Sequence, residues 1–254
     1  MHGFILAAGF GKRMGAYTDN CPKPLLEIDG IKLLDYSLYL LEKWKIEKKI
    51  INTHYLSERI EEYFSNFTLV EIQISREKEI LGTGGGIYTA LQKFWSDLGL
   101  LEKFLVINPD TILFPSDEFH PDFPILFPDS LSHLYLKPIE DGKSYTTLFL
   151  KEGRVFFHNV ESSIPCYYIG LSLFKLKAFT NRNYQANMNF ELGSLWRQLS
   201  DEGLLTGEFY NGDAIDIGEK EFYEKLKEQT DFFRGRKSDI FSKLNSLKKI
   251  INNS

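Results

Sequence analysis

The chain has 254 residues, a hydrophobic fraction of 43% and a formal net charge of −5. That length and apolar content predict one large α/β domain over 1–254, and the acidic balance argues against a general nucleic-acid binder, which carries a basic face. Two cysteines, Cys21 and Cys166, exclude a disulfide framework and predict a reducing, cytoplasmic setting. No signal-peptide pattern and no apolar run of membrane-spanning length is present, so no membrane association is predicted.

The predicted elements begin with a short apolar strand, Phe4-Ile5-Leu6-Ala7-Ala8, which runs into the glycine-rich basic loop Gly9-Phe10-Gly11-Lys12-Arg13-Met14-Gly15. Pro22-Lys23-Pro24-Leu25-Leu26 follows. Glycines allow tight turns and close backbone approach, and successive N–H groups in such a loop form an anion-binding concavity. Arg13 and Lys23 add cations, so the loop has the chemistry to hold a polyphosphate. The third glycine of a dinucleotide fingerprint would fall at Met14, and a Walker loop would need Ser or Thr where Arg13 stands, so neither motif fits.

Further along, 33–44 has helical apolar spacing and 48–53 reads as a strand. Residues 57–64 form a predicted helix with Ser57 as candidate N-cap, and 69–75 alternate as a strand. A glycine-rich turn at 82–86 feeds a helix to residue 94. Phe104-Leu105-Val106-Ile107 is a continuous apolar run, as in a buried parallel strand. This alternation predicts βαβ units, with ligands at the carboxyl ends of the strands. Strands are predicted at 134–136, 147–150, 155–157 and 167–174, with a hairpin turn at 151–154. Four prolines between 115 and 130 predict an ordered loop, and a helical segment runs from 219 to 254. The character of the pattern thus differs between 1–114 and 131–218.

The string Leu6-Ala7-Ala8-Gly9-x-Gly11-x-Arg13-Met14, followed by Pro22-Lys23-Pro24-Leu25, resembles the signature of the sugar-1-phosphate nucleotidyltransferases, or NDP-sugar pyrophosphorylases. Leu81-Gly82-Thr83-Gly84-Gly85-Gly86 resembles that family's Leu-Gly-Thr-x-Gly element, which lies against the base. Either Glu77 or Glu79 precedes it, as a Glu does in many members. Asn108-Pro109-Asp110 resembles its Asn-Gly-Asp, with proline in place of glycine. Asp216-Ile217-Gly218 resembles its second metal-binding Asp-x-Gly, with the flanking residues changed. Within the family the short uridylyltransferases of N-acetylmuramate 1-phosphate and guanylyltransferases of heptose 1-phosphate are the most similar, because the Glu-Lys-Pro motif is missing here too.

The resemblance implies a Rossmann-like nucleotidyltransferase fold with a mixed, mostly parallel central sheet flanked by helices, with 1–114 as its nucleotide-binding half and 131–218 as its sugar-binding half. It implies a nucleoside triphosphate and a sugar 1-phosphate as substrates, with UTP slightly favoured over GTP on the 81–87 string and on the bulk of Phe10 and Tyr88 near a base. Arg13 and Lys23 take the catalytic role. Leu6, Ala7, Ala8, Gly9, Gly11, Gly82, Gly84, Gly85 and Asn108 bind the nucleotide, Gly170 and Glu191 the sugar, and Asp110 and Asp216 a Mg2+ ion. A monomer or homodimer is expected. The alternatives are a cytidylyltransferase for a phosphorylated alcohol such as phosphocholine, and a non-catalytic nucleotide-binding homologue.

Overall fold

The computed structural model describes residues 1–46, 48–65, 67, 71–94, 102–139, 145–180, 182–228 and 237–247. In chain order the strands are β1 (His2–Ala7), β2 (Glu27–Ile28), β3 (Ile31–Lys32), β4 (Lys48–Thr53), β5 (Glu71–Arg76), β6 (Lys103–Ile107), β7 (Thr111–Pro115), β8 (Ser132–Pro138), β9 (Leu148–Lys151), β10 (Arg154–Phe156), β11 (Ile164–Lys175), β12 (Leu205–Phe209) and β13 (Gly212–Asp216). The helices are α1 (Leu33–Lys43), α2 (Ser57–Phe64), α3 (Gly82–Lys93), α4 (Lys177–Thr180), α5 (Leu192–Asp201), α6 (Lys220–Glu228) and α7 (Lys237–Asn245). Two 3₁₀ segments, Lys12–Thr18 and Lys23–Leu25, follow β1. Among the described residues, no helix is long and apolar enough to cross a membrane.

The chain divides into two compact units. One comprises 2–80, 108–113 and 215–254. Its strands β1, β4 and β5 pair in parallel, with Phe4 opposite Ile50 and Ile50 opposite Gln73. Phe4, Ile5, Ile50 and Ile51 are fully buried, as expected of strands covered on both faces. Helix α1 turns Leu34, Leu38 and Leu41 inward at helical spacing. Leu41 lies so close to β1 that a Cβ on Gly3 would meet its methyl at 2.7 Å. Helix α2 begins at Ser57, but Leu56, in the left-handed conformation, occupies the cap position, so the expectation of a Ser57 cap is off by one residue. The strand expected at 69–75 is described from Glu71; Leu69 and Val70 lie outside the described residues. The helical expectation for 219–254 is met by α6 and α7, and 229–236 and 248–254 lie outside the described residues.

The other unit comprises 81–107 and 114–214, with Met1. Here the pairing is mostly antiparallel. β11 runs against β6 on one side and β8 on the other, and β8 pairs in parallel with β12. β12 pairs with β10, β10 with β9, and β9 returns to the start of β11, closing a small ring of strands. The register of β11 against β8 shifts between Tyr168 and Ser172, where Gly170 adopts φ 83°. An L side chain is strained there, which accounts for that glycine. Much of the aromatic content fills this core: Phe104 stacks on Phe174 at 5.6 Å, and Phe174 on Trp196 at 6.0 Å.

Candidate active site

β1 delivers the glycine-rich loop, and the carboxyl end of β4 holds the last residue of β1. Asn52, near the end of β4, accepts the Ala7 N–H at 2.9 Å and donates to Glu77 Oε1 at 2.7 Å. Glu77 in turn donates its N–H to the Thr53 carbonyl at 2.8 Å. Three parallel strands are thus tied together at one end. Glu77 is 5% exposed, whereas Glu79 is exposed, so the structure separates two acidic residues that sequence spacing left equivalent.

The loop's glycines do different work. Gly11 is left-handed (φ 67°) and caps the first 3₁₀ segment, and its carbonyl accepts the Met14 N–H at 2.8 Å. A Cβ on Gly11 would meet Thr18 Cγ2 at 2.9 Å. Gly15 has φ 58° and ψ −138°, a conformation that only glycine takes readily. Gly9 has neither constraint: its φ is not positive, and a Cβ there would find nothing within 4 Å. Neither backbone nor packing requires a glycine at that exposed position.

Lys23 opens the second 3₁₀ turn, between Pro22 and Pro24, and its side chain is only 12% exposed. Its Nζ lies 2.8 Å from Asp110 Oδ2. Asp110 sits in the Asn108–Asp110 turn after β6, which closes with Thr111 N–H on the Asn108 carbonyl at 3.3 Å and accommodates the buried Pro109. The Asp110 carbonyl accepts the Ile217 N–H at 2.7 Å, which brings Asp216 beside it. A Cβ on Gly218 would lie 2.8 Å from Asp216 Oδ1 and 3.4 Å from an Arg13 guanidinium nitrogen, so this glycine lets the two side chains close in.

Burial pushes the Asp216 carboxyl above its ordinary range, and the Asp110 charge pushes it further; Lys23, the Gly218 N–H and Arg13 pull the other way. Burial is the larger of the two causes that raise it. The donors are all oxygen, which suits a hard divalent cation, and the buried Asn108 Oδ1 has no hydrogen-bond partner. Among the described residues, no cluster of three or more His, Cys, Asp or Glu side chains that could hold a metal ion forms.

Residues 3–121 match the family of MobA-like NTP transferase domains. The chain is 35% identical over 156 residues to D-glycero-α-D-manno-heptose 1-phosphate guanylyltransferase of Aneurinibacillus thermoaerophilus, covering 61% of this chain and 65% of that relative. It is 29% identical to the protein of the same name from Campylobacter jejuni, covering 88% of this chain and 97% of the relative. The N-acetylmuramate α-1-phosphate uridylyltransferase of Neisseria meningitidis is 34% identical over 44% of this chain and 48% of its own length. UDP-glucose pyrophosphorylase in its apo form has the same fold, with a TM-score of 0.69 at 18% identity over 93% of this chain and 99% of that one.

Arg13, Lys23, Asp110 and Asp216, read as a set from distant motifs, thus come together in one unit. Leu6, Ala7, Ala8, Gly9, Gly11 and Asn108 belong to the same unit. Gly82, Gly84, Gly85, Gly170 and Glu191 belong to the other, where Glu191 is bonded to the Gly82–Gly85 turn and Gly170 lies in β11. Sequence reasoning missed Asn52 and a C-terminal strap. Tyr17 packs edge-on against Tyr223 at 5.1 Å and donates to Glu224 at 3.1 Å, while Tyr223 donates to the Glu27 carbonyl at 2.9 Å. Tyr17 sits in the 3₁₀ segment that carries Arg13, so α6 braces that segment. An isolated tyrosine in either segment gives no sign of such a pairing.

Proposed function

We propose that the protein transfers a nucleoside monophosphate from a nucleoside triphosphate to a sugar 1-phosphate and releases pyrophosphate. The observation that carries this reading is the convergence of Lys23 and Arg13 on the Asp110–Asp216 pair beside a glycine-rich loop. Gly9 supports it, because a glycine that neither strain nor packing requires leaves room for a phosphate against the backbone.

The nucleophile is a phosphate oxygen of the acceptor. Its second pKa is about 6, so it is ionised at neutral pH and needs no general base. Its bond to the α-phosphorus forms as the α–β P–O bond breaks, and the electron pair leaves with pyrophosphate. The work left to the protein is bringing polyanions together and stabilising developing charge. Arg13 and the loop N–H groups hold the β- and γ-phosphates. Lys23 neutralises the α-phosphate and the incoming phosphate, with Asp110 orienting its ammonium group. Asp110 and Asp216 would hold the divalent cation, proposed to be Mg2+, which when bound neutralises charge on the α-phosphate. The acceptor's sugar is assigned to the region of β11 around Gly170.

For the base, the two heptose 1-phosphate guanylyltransferases, matched over 61% and 88% of this chain, support GTP. UTP is favoured by the 81–87 string and by the bulk of Phe10 and Tyr88 near a base. Phe10 packs edge-on against His54 at 5.3 Å, and Tyr88 packs against Tyr184 at 5.8 Å, so both rings have protein partners. A pyrophosphate-release assay crossing GTP, UTP, CTP and dTTP with sugar 1-phosphates and phosphocholine tests the reading. Release with GTP and a sugar 1-phosphate supports it. Turnover only with CTP and phosphocholine favours the phosphoalcohol alternative.

A further inference from the structure

Three consecutive glycines, Gly84 to Gly86, open α3, and their evident purpose from sequence is to let a nucleotide base approach the backbone. The geometry gives them a different neighbour. A Cβ on Gly84 would lie 2.3 Å from the Phe190 ring, and one on Gly85 would lie 2.1 Å from the Met188 carbonyl. Gly82, left-handed at φ 70°, has the Phe190 carbonyl 2.7 Å from the Cβ position. Part of the glycine content is therefore required by segment 184–192 of the chain itself.

That segment also supplies the polar groups the helix start needs. The first N–H groups of a helix have no intrahelical acceptor. Glu191 Oε2 accepts the Thr83 N–H at 3.1 Å and the Thr83 hydroxyl at 2.6 Å. The Phe190 carbonyl accepts the Gly84 and Gly85 N–H groups, each at 3.0 Å, and Phe190 donates back to the Leu81 carbonyl at 3.0 Å. The exchange is reciprocal. Thr83 Oγ1 accepts the N–H of Leu192, the first residue of α5, at 2.9 Å. Two helices distant in sequence thus cap each other through one threonine and one glutamate, as a capping box does within one helix. The Tyr184 ring stacks on Phe190 at 4.0 Å, and the Asn187 N–H donates to Thr89 at 2.8 Å, which fastens the segment further along α3.

We infer that Glu191 is a positioning residue for the nucleotide rather than a sugar ligand: through Thr83 it holds the Gly82–Gly85 turn in shape. This rests on the proposed function for its effect on nucleotide, but not for the latch itself. A negative carboxylate at a helix N-terminus also has favourable electrostatics, which glutamine lacks. Thr83→Val removes the hydroxyl between the helices and leaves Glu191 in place, so it separates a latch from direct sugar contact.

The test has two readouts on the full chain. In the first, amide hydrogen exchange of the ligand-free protein is compared for wild type, Thr83→Val, Glu191→Gln and Glu191→Ala. Exchange at residues 83–85 and 192 is expected to speed up about tenfold or more in Glu191→Ala and Thr83→Val, and less in Glu191→Gln. In the second, steady-state kinetics are expected to show a severalfold rise in KM for the nucleoside triphosphate in Thr83→Val and Glu191→Ala. KM for the sugar 1-phosphate at saturating nucleotide should stay within about twofold. Unchanged exchange in both Thr83→Val and Glu191→Ala overturns the latch. A rise confined to the sugar 1-phosphate KM in the Glu191 variants, with Thr83→Val behaving as wild type, overturns the positioning role in favour of a sugar ligand. Faster exchange in a protein with no nucleotidyl transfer supports the latch and counts against the proposed function alone.

Discussion

Lys23 Nζ lies 2.8 Å from Asp110 Oδ2, so the cation flanking the glycine-rich loop and the carboxylate of the turn after β6 are already joined. The pair is partly exposed, at 12% and 31%, and such pairs contribute only about 0–1 kcal/mol to stability. Its position matters more to reaction than to folding. Asp110→Asn keeps the shape and removes the charge. It is expected to lower kcat by about a hundredfold or more, the usual cost of losing one aligned electrostatic group, while the melting temperature stays close to that of wild type. Steady-state kinetics beside a thermal melt checks both halves.

Asp216 predicts an opposition between stability and activity. Burial first, and the Asp110 charge second, hold its carboxyl above the ordinary value near 3.8. The folded protein therefore binds this proton more tightly than the unfolded chain does. Its contribution is most favourable below the ordinary value, declines as pH rises from there through the raised value, and stays lost above it. Asp216→Asn has no charge to bury, so it should melt higher than wild type at neutral pH, and the difference should shrink on acidification. Added Mg2+ should raise the wild-type melting temperature more than that of the variant. Melting curves from pH 3 to 8, with and without Mg2+, check this; parallel curves would contradict it.

Arg13 is exposed, and its guanidinium approaches Gly218 beside Asp216. Arg13→Ala is expected to lower kcat by about a hundredfold or more, because its proposed role is to set a positive charge against the leaving pyrophosphate. Arg13→Lys should recover part of that loss, since a point charge replaces a planar fork. An effect on sugar 1-phosphate KM alone would argue against the assigned role.

The C-terminal strap should be felt at the loop. Tyr223→Phe keeps the ring against Tyr17 but loses the hydrogen bond to the Glu27 carbonyl. That bond is worth about 1 kcal/mol, which corresponds to a drop of about 2–4 °C in melting temperature for a chain of this size. KM for the nucleoside triphosphate should rise with it, since Tyr17 shares its 3₁₀ segment with Arg13. Differential scanning calorimetry and initial-rate kinetics check the two effects together.

The extent to which the sequence was legible follows the range of the forces involved. β1, β4, α1, α2 and α3 could be read because burial imposes a short period on a local run. β7 and β12 escaped: β7 follows directly on the Asn108–Asp110 turn and ends at Pro115, and β12 carries Gly207 and a buried Thr206 whose partner, His133, lies on β8. At the site, Arg13, Lys23, Asp110 and Asp216 were readable because each sits in its own motif. Glycines were readable as glycines, but not for their reasons. Gly9 is not required by the chain, Gly15 is required by its backbone angles, and Gly84 by a phenylalanine ring from a distant segment. The Tyr17–Tyr223 contact and the Thr83–Glu191 latch depend on long-range folding and leave no local pattern.

In the proposed reaction the α-phosphorus of the nucleotide, and no other, is attacked. Position-labelled nucleoside triphosphate tests it directly, with GTP and UTP each offered with a sugar 1-phosphate and Mg2+. Label at the α-phosphorus is predicted to appear in a nucleotide-sugar, and label at the γ-phosphorus in pyrophosphate, in equal amounts and only when the acceptor is present. Label from the γ-position in a doubly phosphorylated sugar, or in free phosphate without acceptor, would contradict the account.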